Sequence, residues 1–358
     1  MQRTVEERTV EERTVEEGTI GSGSAAQDAP EVAAGGSAGN GDGRVVLHDL
    51  KPELADVREE VRAGLSVRPK RLSPKFFYDE HGSGLFEAIT RLPEYYPTRT
   101  EISILEARLP EIAGLLGRET QLVEYGSGSS RKIRLLLDGL RPRVYMPLDI
   151  SRDHLLDAAR RLAAHDRELE IHAVCVDYSR PFALPWRDPA LSIAGFFPGS
   201  SIGNFERSDA EAFLGRVHGT LGPGSRLLLG VDRRKDRARL EAAYDDAQGV
   251  TAAFNRNVLA HLRHVLGGDV DPDRFDHLAF YDPDAGRVEM HLVAREAHRF
   301  RLGDLEVSVE AGERIHTENS YKYDPEEFTA LAARAGFEAL RSWTDPESLF
   351  SVFVLEAR

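Results

Sequence analysis

From Gln121 onward, apolar and polar positions alternate between two periods. Leu122-Val123-Glu124-Tyr125 is a short apolar run ending in Gly126-Ser127-Gly128, and Ile133, Leu135, Leu136 and Leu137 follow at helical spacing. The rhythm then repeats. Val144 to Asp149 reads as a second strand, and Ser151 is placed as the N-cap of a helix carrying Leu155 and Leu156. Ile171 to Val176, followed by Asp177-Tyr178, is a third strand, and Leu191 to Phe197 a fourth. Ser208 and Glu211 have the spacing of a capping box for a helix carrying Phe213, Leu214 and Val217. Leu221-Gly222-Pro223-Gly224 stops that helix, and Arg226 to Asp232 is a fifth strand. Strands alternating with helices predict an α/β fold, a doubly wound parallel sheet covered on both faces.

Outside this stretch the pattern changes. Glu53 to Gly64 places Leu54, Val57 and Val61 on one helical face. Two proline-punctuated loops, Ser73 to Asp79 and Leu92 to Arg99, are dense in Phe and Tyr, which suits either a packing hinge or a pocket lining. From about Arg233 to Lys322 helical stretches mix with an antiparallel set that includes Val288 to Val293. Pro325 to Ala335 reads as a helix closed by Gly336, and Phe337 to Trp343 pairs with Ser351 to Glu356. The N-terminus repeats Arg-Thr-Val-Glu-Glu from Arg3 to Glu17 and dissolves into Gly, Ser, Ala and Asp. A five-residue period fits no helical stripe and the stretch has little apolar surface to bury, so residues 1–44 are expected to be a disordered tail.

Composition narrows the function classes. The 358 residues are 41% hydrophobic, as in globular proteins, and carry a formal charge of −14 from 60 acids and 46 bases. That sign disfavours phosphate backbones and anionic lipid, so neither nucleic acid nor membrane is an expected partner. The lone Cys175 builds no disulfide and no cysteine zinc site. No long apolar run and no signal-peptide core occur, so a cytoplasmic protein is expected, with monomer as the default.

Strand ends bring polar groups to one edge of the sheet, where ligands of doubly wound folds bind. Gly126, Ser127 and Gly128 let the backbone approach a ligand. Asp149 suits the two hydroxyls of a ribose, and Asp177-Tyr178 offers an acceptor and an aromatic face to adenine. The third glycine of a dinucleotide fingerprint is replaced by Arg131, which removes the case for a pyrophosphate. Two acids and an early G-x-G fit a nucleoside without phosphates and with a cationic tail, namely S-adenosylmethionine. On spacing alone, an unrelated ligand stays open.

Phe77-Tyr78-Asp79, Leu92 to Arg99, Glu124 to Gly128, Gly199 to Asn204, Tyr244-Asp245-Asp246, Phe254 to Asn257 and Thr317 to Ser320 resemble the L-histidine Nα-methyltransferases of ergothioneine biosynthesis. The likeness runs from about Val45 to the C-terminus. It implies a class I methyltransferase core, Rossmann-like with an antiparallel last strand, over residues 100–233 plus 323–358. A second α+β substrate-binding domain would combine 45–99 with 234–322. It also implies that Gly126, Lys132, Asp149, Asp177 and Tyr178 hold the cofactor, with Tyr78 close to it and Ser127 and Gly128 in the same loop. Asn204 and Tyr244 would bind the substrate carboxylate. Glu318 and Ser320 would read the imidazole, with Tyr95 assisting and Met290 lining the pocket. Tyr78 and the Gly199 carbonyl would attend the amine during up to three methylations that yield hercynine. No metal is expected.

Other readings remain for the same residues. The acceptor is another amine, or the chain is a nucleoside-binding sensor without turnover. Glu318 is an exposed loop carboxylate, Tyr95 and Tyr96 pack between domains, and Asn204 caps a turn. His261 and His264 lack a third ligand for a metal, and the charged run Arg233 to Arg237 is read as a solvated face.

Overall fold

Apolar runs bounded by glycine or acid become the strands of the principal sheet. The computed structural model describes residues 44–50, 53–127 and 130–358, so the expected tail, apart from Arg44, and Gly128 lie outside the described residues. The strands, in chain order, are β1 Val45–Leu50, β2 Lys70–Arg71, β3 Gln121–Tyr125, β4 Val144–Asp149, β5 Glu170–Val176, β6 Ile193–Phe197 and β7 Arg226–Asp232. They continue as β8 Phe275–Asp282, β9 Arg287–Ala294, β10 His298–Leu302, β11 Leu305–Val309, β12 Arg314–Tyr321, β13 Phe337–Thr344 and β14 Phe350–Ala357. The helices are α1 Leu54–Leu65, α2 Glu80–Ile89, α3 Tyr96–Leu116, α4 Ser130–Leu140, α5 Arg152–His165, α6 Arg207–Leu221, α7 Arg237–Tyr244, α8 Val250–Leu266 and α9 Pro325–Arg334.

Among the described residues an eight-stranded sheet runs in the order β1-β5-β4-β3-β6-β7-β14-β13. Its strands are parallel except β14, which runs antiparallel to both β7 and β13. Helices α3, α4 and α5 cover one face through residues such as Leu105, Leu136 and Leu155. On the other face lie α6 and α9, through Phe213, Leu214, Phe328 and Leu331. In α6, Ala210, Phe213, Leu214, Val217 and Leu221 form one buried stripe, and Gly222 at φ +86° closes the helix.

A third apolar core joins Val61, Leu65, Phe76, Phe77 and Tyr95 to Leu240, Phe254, Leu262 and the inner faces of β8, β9 and β12. Here a four-stranded sheet, β2-β12-β9-β8, packs with α1, α2, α7 and α8. The expected division differs at its N-terminal end. Val45–Leu50, expected with the second module, pairs in parallel with β5 as the edge strand of the principal sheet. Val45 and Leu47 of this strand pack against the core beneath the principal sheet. Helix α3 links the two cores, since Tyr96 lies in one and Ile104 to Leu116 in the other.

Two local readings also change. Helix α6 starts at Arg207 with Glu206 at the cap position, so Ser208 lies inside the first turn and forms no capping box. Lys235, in the run read as solvated, has its side chain 7% exposed against Asp232. Among the described residues no helix is long and apolar enough to cross a membrane.

Candidate active site

Strand order reverses at β3, between β4 and β6, and a cavity of about 960 Å³ opens beyond the carboxyl ends there. Gly126 follows β3 at φ +82°, and a Cβ on it would meet the Tyr178 hydroxyl at 3.1 Å, so the backbone and that ring share one narrow space. Asp149, the last residue of β4, accepts from the backbone N–H of Ser127 (3.1 Å) and Ser151 (2.9 Å). Burial nevertheless pushes its carboxyl above the usual range. Asp177, after β5, takes Lys75 at 2.6 Å and the Ser179 hydroxyl at 2.5 Å. Burial opposes its charge, but these bonds outweigh it and hold the carboxyl below the ordinary value. Lys75 also reaches Glu60 on α1 at 2.7 Å, tying the second module to this strand end.

The loop after β6 forms the far wall. Gly199 and Ser200 both adopt left-handed backbone, at φ +80° and +60°. The Gly199 N–H donates to both carboxylate oxygens of Glu101 at 3.1 and 2.9 Å. That leaves its carbonyl as the group it can offer a ligand. Glu101 is fully buried and also pairs with Lys132 at 2.5 Å. Lys132 lines the cavity.

A smaller chamber of about 40 Å³ adjoins this cavity, and Tyr78, Phe86, Tyr95, Gly199, Ser201 and Asn204 line both. Tyr244, Phe254, Met290, Glu318 and Ser320 line the chamber alone. A β-bulge builds it. In the β9–β12 ladder His316 faces His291 and Glu318 faces Met290, so Thr317 is the extra residue. The Thr317 hydroxyl holds the bulge, its one proton shared between two acceptors, the Asn255 side-chain oxygen at 2.7 Å and the Met290 carbonyl at 3.0 Å. Strand alternation therefore resets. His316 and Asn319 share the larger cavity, bonded to one another at 2.8 Å, while Glu318 and Ser320 face the chamber.

Aromatic rings form one wall of the chamber. Tyr78 packs edge-on against Phe86 and Phe254 at 5.8 and 5.7 Å, and Tyr95 against Tyr244 at 6.3 Å. Burial pushes the phenols of Tyr78, Tyr95 and Tyr244 well above their ordinary range, so all three stay neutral. Glu318 has no hydrogen-bond partner among the described residues, and burial pushes its carboxyl up to about 8 despite Lys322 nearby. The Asn204 amide is also unpartnered there. The Tyr244 hydroxyl, expected beside Asn204 at a carboxylate, is instead bonded to Ser320 Oγ at 2.6 Å.

Of the residues expected to hold a cofactor, Tyr78, Gly126, Lys132, Asp149, Asp177 and Tyr178 line the larger cavity. Ser127 sits behind Asp149 and does not line it, and Gly128 lies outside the described residues. The expected substrate residues Tyr95, Asn204, Tyr244, Met290, Glu318 and Ser320 all meet in the chamber. Glu318 is 7% exposed, so the surface-carboxylate reading fails. His261 is engaged by the Phe76 carbonyl at 2.7 Å. Lys75, Glu101, Asp232 and Lys322 escaped sequence reasoning. For Asp232 a signal existed, since it closes β7 as Asp149 closes β4. For Glu101, inside a long helix, there was none.

A parallel sheet with one antiparallel strand near its edge, an acid closing the second parallel strand and a glycine turn after the first define a class I S-adenosylmethionine-dependent methyltransferase. The donor set fits that cosubstrate: a glycine cradle against Tyr178 for the nucleoside and an anchored Asp149 for ribose hydroxyls. The chain belongs to the histidine-specific, S-adenosylmethionine-dependent methyltransferases, whose family profile matches residues 57–357. The histidine N-alpha-methyltransferase of Mycolicibacterium smegmatis is 46% identical over 303 residues, spanning 83% of this chain and 93% of that protein. The protein of the same name from Mycobacterium tuberculosis is 44% identical over 303 residues with the same coverage. Ergothioneine biosynthesis protein 1 of Neurospora crassa is 33% identical over 287 residues, spanning 77% of this chain and 32% of that one.

Proposed function

We propose that this chain transfers methyl groups from S-adenosylmethionine to the α-amino nitrogen of L-histidine, up to the trimethylated betaine hercynine, as the first step toward ergothioneine. The family profile and the names of the relatives support the reading. The observation that carries it is the chamber, which opens to the larger cavity past Tyr78, Tyr95, Gly199 and Asn204 and ends in the unpartnered Glu318.

When bound, the cosubstrate supplies a methyl group on a sulfonium, and no protein nucleophile is required. The chain's work is orientation, desolvation and proton bookkeeping. Holding the amine lone pair in line with the methyl carbon is worth on the order of 7–11 kcal/mol of barrier. The Asn204 amide faces the substrate carboxylate, and the Gly199 carbonyl accepts an amine N–H and so aims the lone pair. Glu318 accepts a ring N–H, Ser320 serves the other ring nitrogen, and Met290 packs beside the ring. An α-amino group titrates near about 8. The buried aromatic wall disfavours the ammonium and raises the neutral fraction. Before each transfer the ammonium loses one proton to solvent; the neutral nitrogen then forms one N–C bond as one S–C bond breaks, and S-adenosylhomocysteine leaves. The ring faces of Tyr78 and Tyr95 accommodate the quaternary nitrogen that finally forms.

Purified protein incubated with S-adenosylmethionine and each of the twenty amino acids tests this by mass spectrometry. Histidine alone should gain one, two and three methyl groups. Methylation of a different amino acid in its place, or none at all, overturns the proposal.

A further inference from the structure

Beneath the chamber lies a charged cluster that the mechanism above does not use. Lys322 is fully buried and makes three contacts: the Ser320 hydroxyl at 2.7 Å, the Asp232 carboxylate at 2.8 Å and the Tyr244 hydroxyl at 3.0 Å. An ammonium has three N–H groups and no acceptor, so every donor of Lys322 is used. Asp232 is held in turn by Lys235 at 2.5 Å and by the Tyr96 hydroxyl at 2.8 and 2.9 Å.

The consequence for the two hydroxyls follows by counting. Each has one proton and two lone pairs, and each spends a lone pair on Lys322. They also share one bond with one another at 2.6 Å. A phenol is more acidic than an alcohol, so Tyr244 donates and Ser320 accepts. Ser320 Oγ then has both lone pairs filled, and its own proton has one place left to go, the chamber it lines. Next to it stands Glu318, whose carboxyl burial keeps protonated in the empty chamber; once that proton leaves to make room for a ring N–H, the carboxylate accepts only.

We infer that Lys322 is a positioning residue that makes Ser320 a donor only, so that the chamber pairs one donor with the Glu318 acceptor and selects a ring with one N–H and one bare nitrogen. A neutral imidazole is such a ring; a pyrrole, indole or phenol is not. The inference rests on the histidine reading and adds the source of its ring selectivity.

The test compares L-histidine with the 2-yl and 3-yl pyrrolylalanines, which keep a ring N–H and lack the second nitrogen. Wild-type protein should prefer histidine by at least about 100-fold in kcat/KM, since a site built to bond a group rejects the analogue without it. Lys322→Met frees the lone pairs of Ser320. It should lower kcat/KM for histidine at least about tenfold and for the pyrroles less than about threefold, which collapses the ratio. Calorimetric affinity for S-adenosylmethionine should be unchanged, because Lys322 lies outside the larger cavity and Asp232 keeps Lys235 and Tyr96. Tyr244→Phe frees one lone pair and should erode the same ratio, and it carries the test alone if the first variant does not fold. A ratio left at its wild-type value in either folded variant, or an equal loss on all three substrates, overturns the inference. No turnover of histidine by wild-type protein would instead defeat the proposed function itself.

Discussion

Asp149 and Glu318 are both carboxyls in largely buried surroundings, and their partners separate their roles. Asp149 is anchored by two backbone N–H groups, whereas Glu318 has none and is pushed up to about 8. An anchored acid can present its free lone pairs to ribose hydroxyls, and an unsupported one is free to accept a ring N–H, as the proposed function has it. Asp149→Ala should therefore weaken S-adenosylmethionine binding at least about tenfold in a calorimetric titration, roughly one lost charge-assisted bond. Glu318→Ala should leave that affinity within about twofold and raise KM for histidine at least about tenfold. Equal effects of the two would contradict the division of the site. Glu318 also carries a stability cost with a definite pH dependence. Its folded value lies above the unfolded one, so the native state keeps a proton that the unfolded chain has released. Stability is lost as pH rises from about 4.5 through about 8 and then levels off. Glu318→Gln should melt like the wild type near pH 4.5 and higher by pH 8, by a gain on the order of 1–3 kcal/mol. A difference independent of pH would show that the carboxyl is ionised in the empty chamber.

At the scale of elements, strand ends and turns decide where these side chains arrive. Gly126 combines φ +82° with close approach to the Tyr178 hydroxyl, so two separate costs attend a side chain there. Gly126→Ala should destabilise by about 1–2 kcal/mol and lower cofactor affinity by displacing Tyr178. Adding Tyr178→Phe removes the contact but not the strained backbone, and partial recovery in thermal melts is expected. Full recovery, or none, would assign the whole cost to one source. Elements of this kind were legible because parallel strands buried on both faces read as unbroken apolar runs. The Thr317 bulge was not. A regular strand would put His316, Glu318 and Ser320 on one face, and only pairing with β9 reveals that the alternation resets. The capping box at Ser208 fails for a related reason. Its spacing is local, whereas α6 starts two residues earlier, with Glu206 at the cap position binding Arg287 and Asn319 across the cavity.

In the molecule as a whole, a nucleoside-binding sheet and an aromatic module meet along Tyr78, Tyr95, Gly199 and Asn204. The sheet was readable from periodicity and the module largely from its resemblance to relatives, since neighbours such as Glu318 and Tyr244 stand far apart in sequence. Polar support for the site stayed hidden for the same reason. Lys75 reaches Asp177 across 102 positions and Glu101 reaches Gly199 across 98. The joint itself has a testable strength. Lys75→Met removes the more buried of the two cations, Lys75 and Arg180, that Glu60 and Asp177 share, and should lower stability by about 1–3 kcal/mol while weakening cofactor binding, because the more exposed Arg180 alone is left to neutralise both acids. Unchanged calorimetric affinity and melting would show that the tie is incidental.

The most direct test is a crystal structure of the protein with S-adenosylhomocysteine and L-histidine. The expected result has the ribose on Asp149, the adenine beside Tyr178, the imidazole between Glu318 and Ser320, and the α-nitrogen at Gly199 pointing toward the sulfur. Histidine held instead in the larger cavity near His291 and His316, or with its imidazole turned toward the sulfur, would contradict Nα-methylation in this chamber.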